Sequence, residues 1–139
     1  MKYRKTDYIF DPVKFSSLEG KTGPYILYTT VRIKSLLKKS ESTDYSIKKI
    51  PNKEIKDLLI KLLELPNTLN KAYSEATLNY VTEYVYEIAS LYNKFYNNYN
   101  ILNESDNDTK ESYLAVSKIT YDIIHNLLDI LAIEEVEKM

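Results

Sequence analysis

Tyr28 and Arg32 stand four residues apart, so on a helix both project from one face, an aromatic ring one turn before a guanidinium. Lys38 follows ten residues after Tyr28, about 80° further round the same helix. Much later, Phe95-Tyr96 places two adjacent rings just before the asparagine-rich run Asn97-Asn98-Tyr99-Asn100. Rings together with fixed positive charge suit single-stranded RNA, whose unpaired bases stack on aromatics while Lys or Arg neutralises the phosphates. On the Phe95-Tyr96 pair, one ring is expected to face the core and the other to lie nearer a groove. Tyr25, Tyr84, Tyr92 and Phe95 read as core rings. Spacing alone leaves open both an RNA-binding surface and a helical protein-docking module.

Catalytic constellations are scarce. His125 is the single histidine and falls mid-helix, where a structural or surface role is expected, and the chain has no cysteine to serve as nucleophile or thiolate ligand. Gly20-Lys21-Thr22 resembles the end of a phosphate-binding loop, but the loop's first glycine would fall at Phe15. The acidic tail Glu134-Glu135-Val136-Glu137 has neither the spacing of a hydrolase pair nor that of a calcium loop, and reads as solvated charge.

The elements that must position these residues follow from composition and periodicity. At 139 residues with two glycines and four prolines, the chain suits one helical domain. Fourteen tyrosines imply a partly wet, grooved surface, because each hydroxyl needs a partner or water. Residues 1–39 carry nine Lys/Arg against three Asp/Glu, a net of +6, whereas residues 40–139 carry ten against seventeen, a net of −7. Such polarity focuses an anionic ligand on one end. No secretion signal or run of about 18 apolar residues is present, so a cytoplasmic protein without membrane attachment is expected.

Residues 1–21 read as an extended lead-in, with a turn at Asp11-Pro12. Pro24 opens a first helix that runs to about Lys39, and Pro51 opens a second carrying Ile55, Leu58, Leu59, Leu62 and Leu63. Pro66 opens a short third helix. A fourth begins near Ser74 with Val81, Tyr84, Val85, Ile88, Leu91, Tyr92 and Phe95 at helical steps, and ends in the asparagine run. A capping box at Asp108-Thr109-Lys110-Glu111 starts the last helix. The expected fold is all-α, an antiparallel bundle of about five helices.

Four motifs in order resemble the C-terminal part of arginyl-tRNA synthetases. They are Asp7-Tyr8-Ile9-Phe10-Asp11, the segment Ser17 through Arg32 (Ser-Leu-Glu-Gly-Lys-Thr-Gly-Pro-Tyr-Ile-Leu-Tyr at its start), Phe95-Tyr96 followed by Ile101-Leu102, and Asn126 through Met139. Leu27, Lys21 and Val136 stand where that family usually has glutamine, asparagine and proline, Lys38 where some members have arginine, and Leu127 and Ala132 where it has glycines.

The resemblance implies a DALR-type anticodon-binding domain at residues 22–139, with residues 1–21 leading in from a catalytic domain that the sequence does not contain. It implies that Tyr28, Arg32, Lys38, Tyr96 and Met139 contact the anticodon loop of arginine tRNA, with the central cytosine held in a pocket. It also implies partnership with the catalytic domain of the same chain, and no role in DNA binding. The family's ATP-binding signatures are missing here. ATP and Mg therefore belong to the full-length ligase, and the fragment is expected to have no cofactor and no activity alone. A non-enzymatic helical interaction module is the alternative, and a stand-alone enzyme a third reading.

Overall fold

The computed structural model describes residue 9 and residues 11–17, 20–42 and 45–139. The motif at Asp7–Asp11 and the start of the lead-in therefore lie largely outside the described residues. Within them the order is α1 (Pro12–Phe15), α2 (Gly23–Ser40), α3 (Lys53–Leu63), α4 (Leu65–Ser74), α5 (Asn79–Asn98), a 3-10 turn (Ile101–Asn103) and α6 (Asn107–Ile130), with no strand among the described residues. The all-α expectation holds. The helix count exceeds the expected five by the single turn α1, which begins at Pro12, where a turn alone was expected. There the Asp11 carboxylate accepts from the Val13 N–H at 3.0 Å, so a proline at the first position starts a helical turn rather than merely ending extended chain.

Each long helix has a local cause. Gly20 takes φ 79°, a left-handed conformation that a side chain resists, and turns the chain into α2. Thr22 caps α2 by accepting from the Tyr25 N–H at 3.3 Å, and Pro24 sits in its first turn. Asn52 caps α3, one residue after the expected opening at Pro51, and its amide also donates to the Tyr113 hydroxyl at 2.9 Å. Pro66 lies in the first turn of α4 as expected. The start expected for the fourth helix near Ser74 is the end of α4 instead. Ala76, at φ 48°, breaks the chain there before α5 begins at Asn79. The expected capping box is displaced by two residues, because Asp106 rather than Asp108 caps α6, accepting from the Thr109 N–H at 3.0 Å.

Helix α5 is the axis of the bundle and contacts α2, α3, α4 and α6. Its Val81, Tyr84, Val85, Ile88, Tyr92 and Phe95 are buried as the periodicity requires, against Ile33 and Leu36 of α2, Ile55, Leu58 and Leu62 of α3, and Val116, Ile124, Leu127 and Leu128 of α6. Cross-helix contacts fix the directions. Tyr84 reaches the end of α3 and Tyr99 its start, so α3 and α5 are antiparallel. Tyr92 meets Ser117 while Phe95 meets Tyr113, so α5 and α6 are antiparallel too.

Besides α3 with α6, whose starts meet through Asn52 and Tyr113, the exception to the antiparallel expectation is α2 with α5, which run in the same direction, Tyr25 meeting Tyr86 and Arg32 meeting Asn97. These two are not sequence neighbours, so no short loop constrains them to alternate. One end of the bundle consequently gathers the C-termini of α2 and α5 with the N-termini of α3 and α6. Among the described residues no helix is long and apolar enough to cross a membrane.

Candidate nucleic-acid interface

The sequence-predicted residues Tyr28, Arg32 and Tyr96 come together where α2 and α5 run side by side. The Arg32 guanidinium carbon lies 4.7 Å from the centre of the Tyr28 ring and 4.7 Å from that of Tyr96, within cation–π range of both. Its Nη2 donates to the Tyr28 hydroxyl at 2.9 Å, and its Nη1 donates to the Asn93 Oδ1 at 2.7 Å and the Asn97 Oδ1 at 3.3 Å. Asn93 is buried and passes the chain on, donating from Nδ2 to the Thr29 hydroxyl at 2.8 Å. These partners are all neutral. The guanidinium keeps its full positive charge at the surface of the bundle while being fixed in orientation by several bonds.

Beyond Arg32, at the end where α2 and α5 finish, lies a groove of about 420 Å³ lined by Leu36, Tyr96, Asn97, Tyr99, Asn100 and Leu102 among others. Phe95 is fully buried and Tyr96 lines the groove, so the adjacent rings divide between core and groove as expected. Phe95 is the hub of a ring cluster with Tyr92, Tyr99 and Tyr113, at centroid separations of 5.0–5.8 Å. Tyr99 is anchored by donating its hydroxyl to Glu54 Oε2 at 3.0 Å, which ties the groove wall to the start of α3. The groove combines apolar floor, ring edges and amide groups that both donate and accept. A flat heterocycle with polar edges fits that lining.

Lys38 is exposed on the last turns of α2, and Met139 is 54% exposed at the chain end. Neither joins the Arg32 cluster directly. Lys38 is six residues beyond Arg32, about 120° round the helix, and so faces away from α5. Sequence reasoning missed Asn93, whose signal was a polar residue inside an otherwise apolar helical stripe. Buried polar groups are almost always hydrogen-bonded, so such a residue marks a specific partner.

It also misread one residue of the acidic tail, Glu135, while Glu134 and Glu137 are exposed as expected. Only 11% of the Glu135 side chain is exposed, and its carboxylate receives Lys34 Nζ at 2.7 Å, the Tyr121 hydroxyl at 3.0 Å and a contact from His125 Nδ1 at 3.1 Å. Burial pushes the Glu135 pKa up, but the bonds from Lys34, His125 and Tyr121 outweigh it and leave the group below its ordinary value. The bond to Glu135 raises Lys34 above the ordinary lysine value.

Fold and groove together define an all-α bundle with a polar, ring-lined groove at one end. The chain belongs to the family of DALR anticodon binding domains, whose model matches residues 26–139. It is 37% identical over 140 residues to an arginine–tRNA ligase of Agathobacter rectalis, covering 96% of this chain and 24% of that protein. The corresponding ligase of Alkaliphilus oremlandii is 35% identical over 137 residues, covering 96% and 23%. The structure of Thermus thermophilus arginyl-tRNA synthetase superposes with a TM-score of 0.81 at 25% identity, over 88% of this chain and 22% of that one. The chain thus spans about a quarter of the length of the curated relatives it matches.

Proposed function

We propose that this chain is the anticodon-reading domain of an arginine–tRNA ligase, and that it grips the anticodon loop of arginine tRNA with the groove at the joint end of α2 and α5. The observation that carries the reading is Tyr96, whose ring lines the groove and is braced by the Arg32 guanidinium lying over it at 4.7 Å, just outside the groove. An unpaired base entering the groove stacks against Tyr96, and the central cytosine of the anticodon is the base assigned there. Arg32 holds one face of Tyr28 and Tyr96, so it acts as a brace for the stacking surface as well as a positive charge. Lys38, on the adjoining face of α2, neutralises the backbone of the loop, and Met139 covers the rim.

In this reading residues 22–139 bind RNA and residues 1–21 lead in from the catalytic part of the same polypeptide in the cytoplasm. The ligase's ATP and Mg are assigned in this reading to its catalytic part. Among the described residues no group of three or more His, Cys, Asp or Glu is placed to hold a metal ion. Correct anticodon contact would supply binding energy remote from the reacting acceptor end, favouring productive placement of that end.

Titration of the chain with an arginine tRNA anticodon stem-loop, and with the same loop carrying guanine for the central cytosine, tests the reading. The altered loop is expected to bind about tenfold more weakly, the equivalent of about 1.4 kcal/mol. Tyr96→Ala is expected to weaken the cognate loop by roughly 1–3 kcal/mol, the worth of one stacked base. Equal affinity for the two loops would overturn base-specific reading.

A further inference from the structure

The tail after α6 is built into the fold. Ala132 takes φ 54°, its N–H donates to the Asp129 carbonyl at 2.9 Å, and the Ile133 N–H donates to the Leu128 carbonyl at 2.9 Å. This left-handed stop reverses the chain, and Ile133 packs on the core. Glu135 then bonds residues ten and fourteen positions back on α6, so the tail runs along α6 towards that helix's start. Its direction is therefore towards the groove end of the bundle, where α6 begins.

Lys34 of α2 closes the arrangement from the other side. Its ammonium contacts Glu135 at 2.7 Å and Glu137 at 3.5 Å, and lies 5.9 Å from the centre of the Tyr121 ring, which stacks on His125. Lys38 is the next residue along that face of α2, one turn nearer the groove end. From Glu135 the remaining four residues reach at most about 14 Å if extended, whereas Lys34 and Lys38 are separated by only about 6 Å of helix. Held at Glu135, the last residue is thereby kept within reach of the turn of α2 that carries Lys38, towards the groove end.

Resting on the anticodon reading, we infer that the Lys34–Glu135 bridge is a positioning device that aims the tail along α2, so that Met139 meets the bound RNA loop. Glu135 touches no RNA in this role. It fixes where the chain end is.

The test uses four forms of this chain: wild type, Glu135→Gln, a chain ending at Val136, and the two changes combined. Affinity for the anticodon stem-loop and the mobility of the Met139 methyl group by NMR are measured, with thermal unfolding as the fold check. Glu135→Gln is expected to mobilise Met139 and to weaken the loop by about fivefold, roughly 1 kcal/mol. The truncated chain is expected to bind equally weakly, and adding Glu135→Gln to it should cost no further affinity. The exchanged pair Lys34→Glu with Glu135→Lys is expected to restore part of the affinity lost by Glu135→Gln.

An unchanged affinity in Glu135→Gln beside a weakened truncated chain would overturn the positioning role and leave the anticodon reading standing. So would an equal loss from Glu135→Gln in the full and truncated chains, since the residue would then act through the fold alone. A wild-type chain that does not bind the loop would overturn the anticodon reading and this role with it, whatever the mobility of Met139.

Discussion

The two faces of α2 hold their cations in opposite ways. Towards α5, Arg32 is surrounded by two amide oxygens, a phenol and two rings, all neutral. Towards the tail, Lys34 sits against two carboxylates. The first face fixes a charge without cancelling it, and the second cancels a charge to fix a piece of chain. A residue that must meet an anion needs neutral company, whereas a residue that ties down a segment gains from a counter-ion. Counting basic residues therefore misjudges a surface unless their partners are known.

The largest effect that separates the faces is expected from Arg32→Ala. It leaves the buried Asn93 oxygen without its donor and frees both rings, which should lower unfolding free energy by about 2–3 kcal/mol in a urea titration. Arg32→Lys restores the charge but not the planar fork, and should recover less than half of that loss. Lys34→Ala should cost distinctly less, about 1 kcal/mol, because the Lys34 side chain is 29% exposed. Equal losses at the two positions would erase the contrast.

Acidity sharpens it next. The folded-state pKa of Glu135 is lowered, so its contribution is complete above the ordinary glutamate value and is lost as pH falls through the folded one. Lys34 is raised, so its contribution is complete below the ordinary lysine value and fades only as pH rises through the folded one. Protection of the tail from carboxypeptidase should hold across neutral pH and fall on acidification below the ordinary glutamate range. The Arg32 cluster, held by neutral partners, should show no matching change in the NMR shifts of Asn93.

The smallest effect is expected at Ala132. A side chain in the left-handed region is strained, and glycine removes that strain at some entropic cost in the unfolded chain. Ala132→Gly should raise stability by about 0.5 kcal/mol, read as a small upward shift in melting temperature.

Much of the bundle was legible because its causes are local. Pro24 and Pro66 announce first turns, and the stripe from Val81 to Phe95 is buried at nearly every position the 3.6-residue period selects. The α6 cap at Asp106 was displaced because several capping residues compete there, and only the fold selects among them. At the site, Tyr28, Arg32 and Tyr96 were legible as a type of chemistry. Their meeting was legible only through the family resemblance and not from spacing, because α2 and α5 are distant in sequence. Glu135 was hidden for the same reason, since its main partner lies on α2, about a hundred residues earlier.

The Tyr84 hydroxyl has a consequence for how the molecule opens. It donates near the Lys61 and Leu62 carbonyls at 3.0 and 3.1 Å, at the corner where α3 gives way to α4, and burial pushes its pKa up to about 12. Those carbonyls lie at the end of a helix, where the Glu64 N–H is their backbone donor and one phenol on the central helix adds a second. The corner is thereby latched to α5, so α3 and α4 should breathe as a single unit. In hydrogen exchange their amides should share one opening energy, and Tyr84→Phe should split it into two.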